Sequence, residues 1–382
     1  MLLSRFNPRV FAILAPSHIQ RLIERARQFS AQALEAAAAA DELAAIDPKL
    51  WPELHRSGLA MAAFPEELGG AGLCESSHHA ELCTVLRLLG AGDLSIARLF
   101  EGHVNAIFLV SRYGTAAQLR ALADAVADGA MSAVWGADDA GGLKITGDAY
   151  PAVLEGRKIL ASGAGLVTWP LVTAKGAGRQ LMCLLTLAAD HPVDLSRWQA
   201  QGMRSTATGT VDLSGIIVTP ENIVGAAGDF MRQPLFSGGA WRFCAAHLGA
   251  VERLVDLFRD HLVARDRAQD PYQLQRVAQC VASARTARFW VEEAARRFSA
   301  PEEEIDLTVA FANLTRTVVE RAALDVMETV QRGVGLVSFI RPHPIERITR
   351  DLATYLRQPV PDRAMSDAAR AVLASPLPIG EF

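Results

Sequence analysis

The sequence predicts a mainly α-helical protein with a central β domain: an N-terminal helical domain, an antiparallel β module and a C-terminal four-helix bundle. Three observations carry this. Both ends are rich in Ala, Leu, Glu and Arg at helical spacing, and near Met131 the texture changes to Val, Ile and Thr runs broken by Gly, Asp, Asn and Pro. After Gly238 the helical period returns. A chain of 382 residues exceeds the size at which one core stops growing, and the expected divisions are 1–130, 131–225 and 226–382.

Taken in order, Ser17 to Ile46 places apolar residues at helical spacing and ends at Asp47-Pro48. Leu50 to Gly58 reads as a short helix stopped by its glycine, and Phe64 to Gly72 as a turn-rich loop. Helices follow at Ser76 to Leu89, Asp93 to Tyr113 and Thr115 to Asp128. The β module shows best in Gly156 to Ala174 and Gly202 to Gly225, its last strand closing near Thr219-Pro220. Trp241 to Arg265, Gln273 to Phe298, Ile305 to Gln331 and Pro344 to Leu356 are the four bundle helices.

Composition excludes several classes. A net charge of −4 leaves no basic field for nucleic acid. Five cysteines without CxxC spacing argue against a disulfide framework and a zinc site, and fit buried thiols in a reducing compartment. The N-terminal apolar run is interrupted by Arg5, Pro8, Arg9 and Pro16, so neither a signal peptide nor a membrane span fits, and the expected location is cytoplasmic. His78, His79 and His103 read as packing or capping residues; with Glu75 and Glu81 they complete no metal ligand set. The acidic run Pro301 to Asp306 reads as a solvated helix start. Neither GxGxxG after a strand nor GxxxxGK[ST] occurs, so a nucleotide would be held some other way.

Ordered elements then run along nearly the whole chain. They are Ser57 to Leu73 (SGLAMAAFPEELGGAGL), followed by His103, Tyr113-Gly114 and Gln118; the Gly-x-Lys strand pair of Gly156 to Ala174; Gly202-Met203-Arg204-Ser205, Thr208 and IIVTPENIVG; and PIERITRD, Pro344 to Asp351. In that order they resemble the acyl-CoA dehydrogenase family. The resemblance implies FAD held by the β domain and bundle with part of a neighbouring subunit, an acyl thioester substrate, an electron acceptor such as a flavoprotein or oxygen, and a homodimer or homotetramer. It assigns Trp135, Gly136, Gly141 and Gly142 to a strand and loop along the flavin, where small residues allow close approach. Leu160, Ala161 and Ser162 match an aromatic-aliphatic-Thr strand, Ser162 keeping the hydroxyl near flavin N5 and Leu160 leaving ring shielding to Trp135 or Trp169. Arg265 matches an Arg on the pyrophosphate, Gln273 a cofactor-contacting Gln, and Gly333-Val334-Gly335 a turn at the adenosine of a partner subunit's FAD. The aromatic-Gly pair that follows this Arg in the family is absent.

Desaturating an acyl thioester requires a carboxylate to take the α-proton as hydride passes to the flavin. The usual position of that Glu aligns with Pro359, and the alternative, at the start of the first bundle helix, with Gly239 or Trp241 in SGGAWRF. Asp362 is the nearest acid, and the catalytic base stays unassigned. Two further readings follow: a flavin-dependent monooxygenase of the same fold, which needs no α-proton base, and a catalytically degenerate structural member. Glu346, Arg347, Arg350 and Asp351, spaced for one helix face, read as intrahelical ion pairs.

Overall fold

The computed structural model describes residues 17–147, 149–176, 178–299 and 305–381. The N-terminal apolar run and residues 301–304 of the acidic run lie outside the described residues. The N-terminal helices are α1 (His18–Leu43), α2 (Leu50–Arg56), α3 (His79–Gly92), α4 (Leu94–Tyr113) and α5 (Ala116–Ala127). α1 starts at a Ser17–Gln20 capping box and buries Leu22, Ala26, Phe29, Ala33, Ala37 and Ala40, one face at three-to-four spacing. Its left-handed cap residue, Ala44, stops it before the expected Asp47-Pro48. Asp93 caps α4 through the Ile96 N–H at 3.0 Å. Gln118 completes the capping box of α5 and donates to the carbonyls of Glu221 and Ile223, 2.8 Å each, tying this helix to the far end of the β module.

The strands are β1 (Ser132–Trp135), β2 (Lys144–Thr146), β3 (Ala152–Glu155), β4 (Arg157–Ala161), β5 (Trp169–Gly176), β6 (Arg179–Leu184), β7 (Val193–Asp194), β8 (Gly209–Asp212), β9 (Ile217–Val218) and β10 (Ile223–Val224). One sheet orders them β10-β6-β5-β2-β3-β9 with β1 on β5, and a second β4-β8-β7. The pairing is antiparallel except that β5 runs parallel to both β1 and β2. The expectation of a purely antiparallel module is corrected there: the chain from β1 to β5 is long enough for the crossover that parallel neighbours need. Pro220 opens a 3₁₀ turn rather than ending the module, and β10 follows it.

The C-terminal part comprises α6 (Leu235–Ala264), α7 (Pro271–Arg297), α8 (Ile305–Val334), α9 (Pro344–Tyr355) and α10 (Pro361–Ala374). α6, α7 and α8 pack pairwise, and α10, which the sequence reading did not anticipate, packs along α8. α9, expected as a fourth bundle member, instead contacts α1, α4, α6 and α8. α3 and α6 cross so closely that a Cβ on Gly90 would lie 2.0 Å from the Ala246 carbonyl oxygen, and one on Gly249 2.0 Å from that of Arg87. No helix among the described residues is long and apolar enough to cross a membrane.

α9 joins the three parts. Arg350 donates to Asp41 of α1 at 2.6 and 3.1 Å, to Glu346 at 2.6 and 2.9 Å, and to the Gln201 carbonyl at 2.8 Å. Arg347 reaches Asp93 at 3.4 Å and Asp351 at 3.2 Å, while Asp351 accepts the Met203 N–H at 2.6 Å. Burial, then the neighbouring Asp93 charge, pushes the Asp351 carboxyl up to about 6. A Cβ on Gly202 would stand 2.1 Å from the Arg350 carbonyl oxygen, backbone against backbone. Gly202→Ala is therefore expected to cost about 3 kcal/mol or more in denaturant unfolding, at the upper end of overpacking penalties. Gly102→Ala, mid-helix with its nearest atom 3.5 Å away, serves as the control and is expected to be neutral or stabilising.

His103 joins α4 to β1 and to the loop after α2. Its Nδ1 accepts the Ser132 N–H at 3.1 Å, so its Nε2–H donates to the Ala60 carbonyl at 2.9 Å, and the ring is neutral. Burial pushes His103 and His79 down to about 4 and His247 to about 3, from 6.5. The unfolded chain takes up these protons first, so their stability contribution is complete above about pH 6.5 and lost as pH falls toward about 4. Asp351, raised rather than lowered, works in the opposite direction below about pH 6 but is one group against three. Melting temperatures should fall steeply from about pH 6.5 to 4.5, and less steeply in His103→Gln, which removes one of the three titrations.

Candidate functional site

The β module places its site residues at one end of β4. The β4–β8 register breaks between Lys158 and Ala161, and Leu160 takes φ +51°. The irregularity turns its side chain outward, leaving it 62% exposed. Ser162 follows, half-buried, its hydroxyl accepting a long 3.4 Å bond from Thr208 Oγ1, which is itself paired with Thr206 at 2.8 Å. Trp135 is only 2% exposed and donates its indole N–H to the Ser162 carbonyl at 3.0 Å. Trp135 thus packs in the core and holds the Ser162 turn from beneath.

Lys158, passed over as a site residue although it forms the Gly-x-Lys signal, is fully buried and donates to Asp138 at 2.5 Å and Thr173 at 3.0 Å. It thereby fixes the loop carrying Gly136, Gly141 and Gly142. The two latter glycines hold φ of +96° and +71°, and a Cβ on Gly141 would meet nothing within 4 Å. An exposed apolar side chain, a hydroxyl with spare bonding capacity and an open glycine loop fit the face and polar edge of a flavin ring.

The remaining assignments fall elsewhere. Arg265 caps the C-terminus of α6 and is exposed. Gln273 is buried and donates to the Gly333 carbonyl at 3.2 Å, and a Cβ on Gly333 would collide with Phe258 at 2.4 Å. Gln273 and Gly333 thus bind α7 to α8. Gly335, at φ +86°, borders open space. Among the described residues no hydrogen bond or ion pair joins these four to the Leu160–Ser162 end.

A cavity of about 520 Å³, which the sequence reading did not foresee, lies between the ends of α3, α4, α6, α7 and α8. Glu75, His79, Phe108, Arg112, Trp241 and Arg242 line it. Leu235, also in its wall, neighbours Phe236, whose ring packs edge-on against Phe230 at 5.6 Å; Phe230 in turn stands 3.7 Å from a Cβ built on Gly136. One aromatic pair thus links the cavity wall to the glycine loop. Arg242 is 5% exposed, donates Nε–H to Asn105 Oδ1 at 2.6 Å, and sets its guanidinium 4.9 Å from the Phe108 ring centroid and 5.6 Å from that of Trp241. The Asn105 amide donates to Glu101, which also pairs with Arg98 at 2.5 Å. Burial and the Arg242 charge keep His79 neutral, and burial pushes the Cys74 thiol up to about 12, so it is no nucleophile.

The base positions hold no acid. Pro359 is exposed and offers only its carbonyl, to Arg316 at 2.7 Å. Asp362 is exposed on the first turn of α10, and Trp241 is buried. Among the described residues no three His, Cys, Asp or Glu side chains could hold a metal ion.

Two family descriptions match the chain: "Acyl-CoA dehydrogenase, N-terminal domain" over residues 17–130 and "Acyl-CoA dehydrogenase, C-terminal domain" over residues 241–357. The very long-chain specific acyl-CoA dehydrogenase of Homo sapiens is 21% identical over 345 residues, covering 82% of this chain and 51% of its own length. The chain thus spans about half the length of the dehydrogenase relatives it matches. The dibenzothiophene monooxygenase of Mycolicibacterium goodii is 23% identical over 379 residues, covering 86% of this chain and 88% of the relative. The structure of FMN-bound TdsC from Paenibacillus sp. A11-2 shares the fold, with a TM-score of 0.82 at 18% identity over 94% of this chain and 98% of the other. The chain belongs to the acyl-CoA dehydrogenase family.

Proposed function

We propose that the protein is a flavin-dependent oxidoreductase of the oxygen-using kind, acting on a small substrate in the 520 Å³ cavity rather than desaturating an acyl thioester. The observation that carries this is the double loss of the base: Pro359 is exposed, Asp362 faces solvent, and buried Trp241 fills the other position. Without a carboxylate to take the α-proton, hydride transfer from an acyl thioester has no partner step. Oxygenation has no such requirement, and a monooxygenase relative is covered over 88% of its length.

Bound reduced flavin supplies two electrons to oxygen, one atom of which enters the substrate while the other leaves as water. The chain's own residues would do the rest. Leu160 offers an apolar surface to the ring, Ser162 a hydroxyl to its polar edge, and the loop from Gly136 to Gly142 close backbone approach. Of the four residues the resemblance gives to the nucleotide end, Arg265 and Gly335 are open while Gln273 and Gly333 are taken up in packing, which supports an FMN-sized ligand over FAD. FAD would require a second copy of the chain to bring Arg265 to the β module, as in a homodimer. The physiological electron donor is then a separate reductase or reduced flavin in solution.

Anaerobic titration with reduced FMN and FAD, followed by admission of oxygen, tests this. Reduced FMN is expected to bind at least as tightly as FAD, and Ser162→Ala to weaken it about three- to tenfold, the worth of one hydrogen bond. Asp362→Asn should leave oxygen consumption unchanged. Anaerobic bleaching of the bound oxidised flavin by an acyl-CoA would overturn the reading, and failure to bind flavin in either redox state would leave the degenerate structural member.

A further inference from the structure

Arg242 differs from the other deeply buried arginines. Arg347 faces Asp93 and Asp351, and Arg350 faces Asp41 and Glu346. Arg242, at 5% exposure, has no carboxylate within ion-pair distance among the described residues and spends one of its five N–H groups, on Asn105. Glu101, the acid whose charge acts on it, is already engaged by Arg98 and Asn105. A buried cation left in this state costs free energy that a paired one recovers, and this one lines the cavity.

Other features of the cavity converge on the same chemistry. Trp241 is buried, and its indole N–H has no hydrogen-bond partner among the described residues. Arg112, Arg297 and Glu75 also line the wall, Arg297 being paired with Glu293 at 2.9 Å. Phe108, Leu235 and Phe298 give the wall apolar surface beside the hydroxyls of Ser76, Ser111, Ser299 and Thr308. About 520 Å³ is the volume of a pocket for a compact organic molecule.

We propose that the cavity binds an organic carboxylate with an aromatic or alicyclic body, its carboxylate held by the unspent guanidinium N–H groups of Arg242 and its body between Phe108 and Trp241. A planar carboxylate matches the fork of donors two by two, and the aromatic rings at the wall favour an organic body over a small hydrated anion. The proposal deepens the oxygenase reading by naming its substrate class, and rests on it only for the ligand's role as substrate; binding itself requires no flavin.

The test is calorimetric titration of the flavin-free protein with benzoate and phenylacetate, against benzamide and phenylacetamide as neutral isosteres and inorganic phosphate as a tetrahedral anion. The carboxylates are expected to bind at least tenfold more tightly than their amides, with phosphate not competing. Arg242→Gln, which can still donate to Asn105, should lose about 30-fold or more in carboxylate affinity, and Arg242→Lys less. The melting temperature of ligand-free Arg242→Gln should hold or rise, because an uncompensated buried charge is removed; a purely structural arginine would lower it. Equal affinity for acid and amide, competition by phosphate, or unchanged affinity in Arg242→Gln would each overturn the proposal. Flavin titration of the same samples separates the two readings, since carboxylate binding without flavin binding sinks the oxygenase and spares the site.

Discussion

The fold depends on one buried charge cluster. Arg347 and Arg350, a turn apart on α9, hold Asp41 from α1, Asp93 from the start of α4, their own helix's Glu346 and Asp351, and through Asp351 the Met203 N–H of the β module. Buried ion pairs are weak contributors to net stability, but removing one partner strands a charge, so the arrangement tolerates one geometry and few others. Its members come from all three parts of the chain, and the turn at Gly202 fits only because no Cβ intervenes. The candidate site and the cavity are mounted on elements whose mutual placement this cluster sets.

The sequence already contained half of the cluster. PIERITRD spaces its charges for intrahelical pairs, and Glu346–Arg350 and Arg347–Asp351 form as expected. The other half joins residues 254 and 309 positions apart, a separation that helical spacing cannot reveal. Elements with strong local signals were legible for the same reason: α1, α4 and α5 have side-chain caps and regular apolar faces. α10 lies beyond Leu356, where the expected bundle ended, and Pro361 occupies its first turn, where no N–H is required. Parallel pairing of β5 was hidden because strand period says nothing of direction.

At the candidate site, the motif's residues separate by burial. Leu160 is exposed and Ser162 half-buried, while Trp135 lies beneath them and Gln273 packs α7 on α8. In both cases a residue type suited to touching a ligand is equally suited to satisfying a buried carbonyl, and only tertiary context decides. The cavity could not be read at all, because its walls come from the ends of five helices far apart in sequence.

The same stretch, SGGAWRF, that lacks the proton acceptor also creates the unpaired cation. Trp241 fills a place to which the resemblance gives an acid in some members, and next to it Arg242 stays buried with, among the described residues, an amide oxygen as its hydrogen-bond acceptor. An acid at either family position would have brought negative charge toward this end of α6; neither is present, and Glu101 is committed to Arg98. Loss of the base and exposure of the cavity to an uncompensated positive charge are thus two consequences of one local change. A protein that no longer supplies the carboxylate for its own chemistry is left with a site suited to a substrate that brings one.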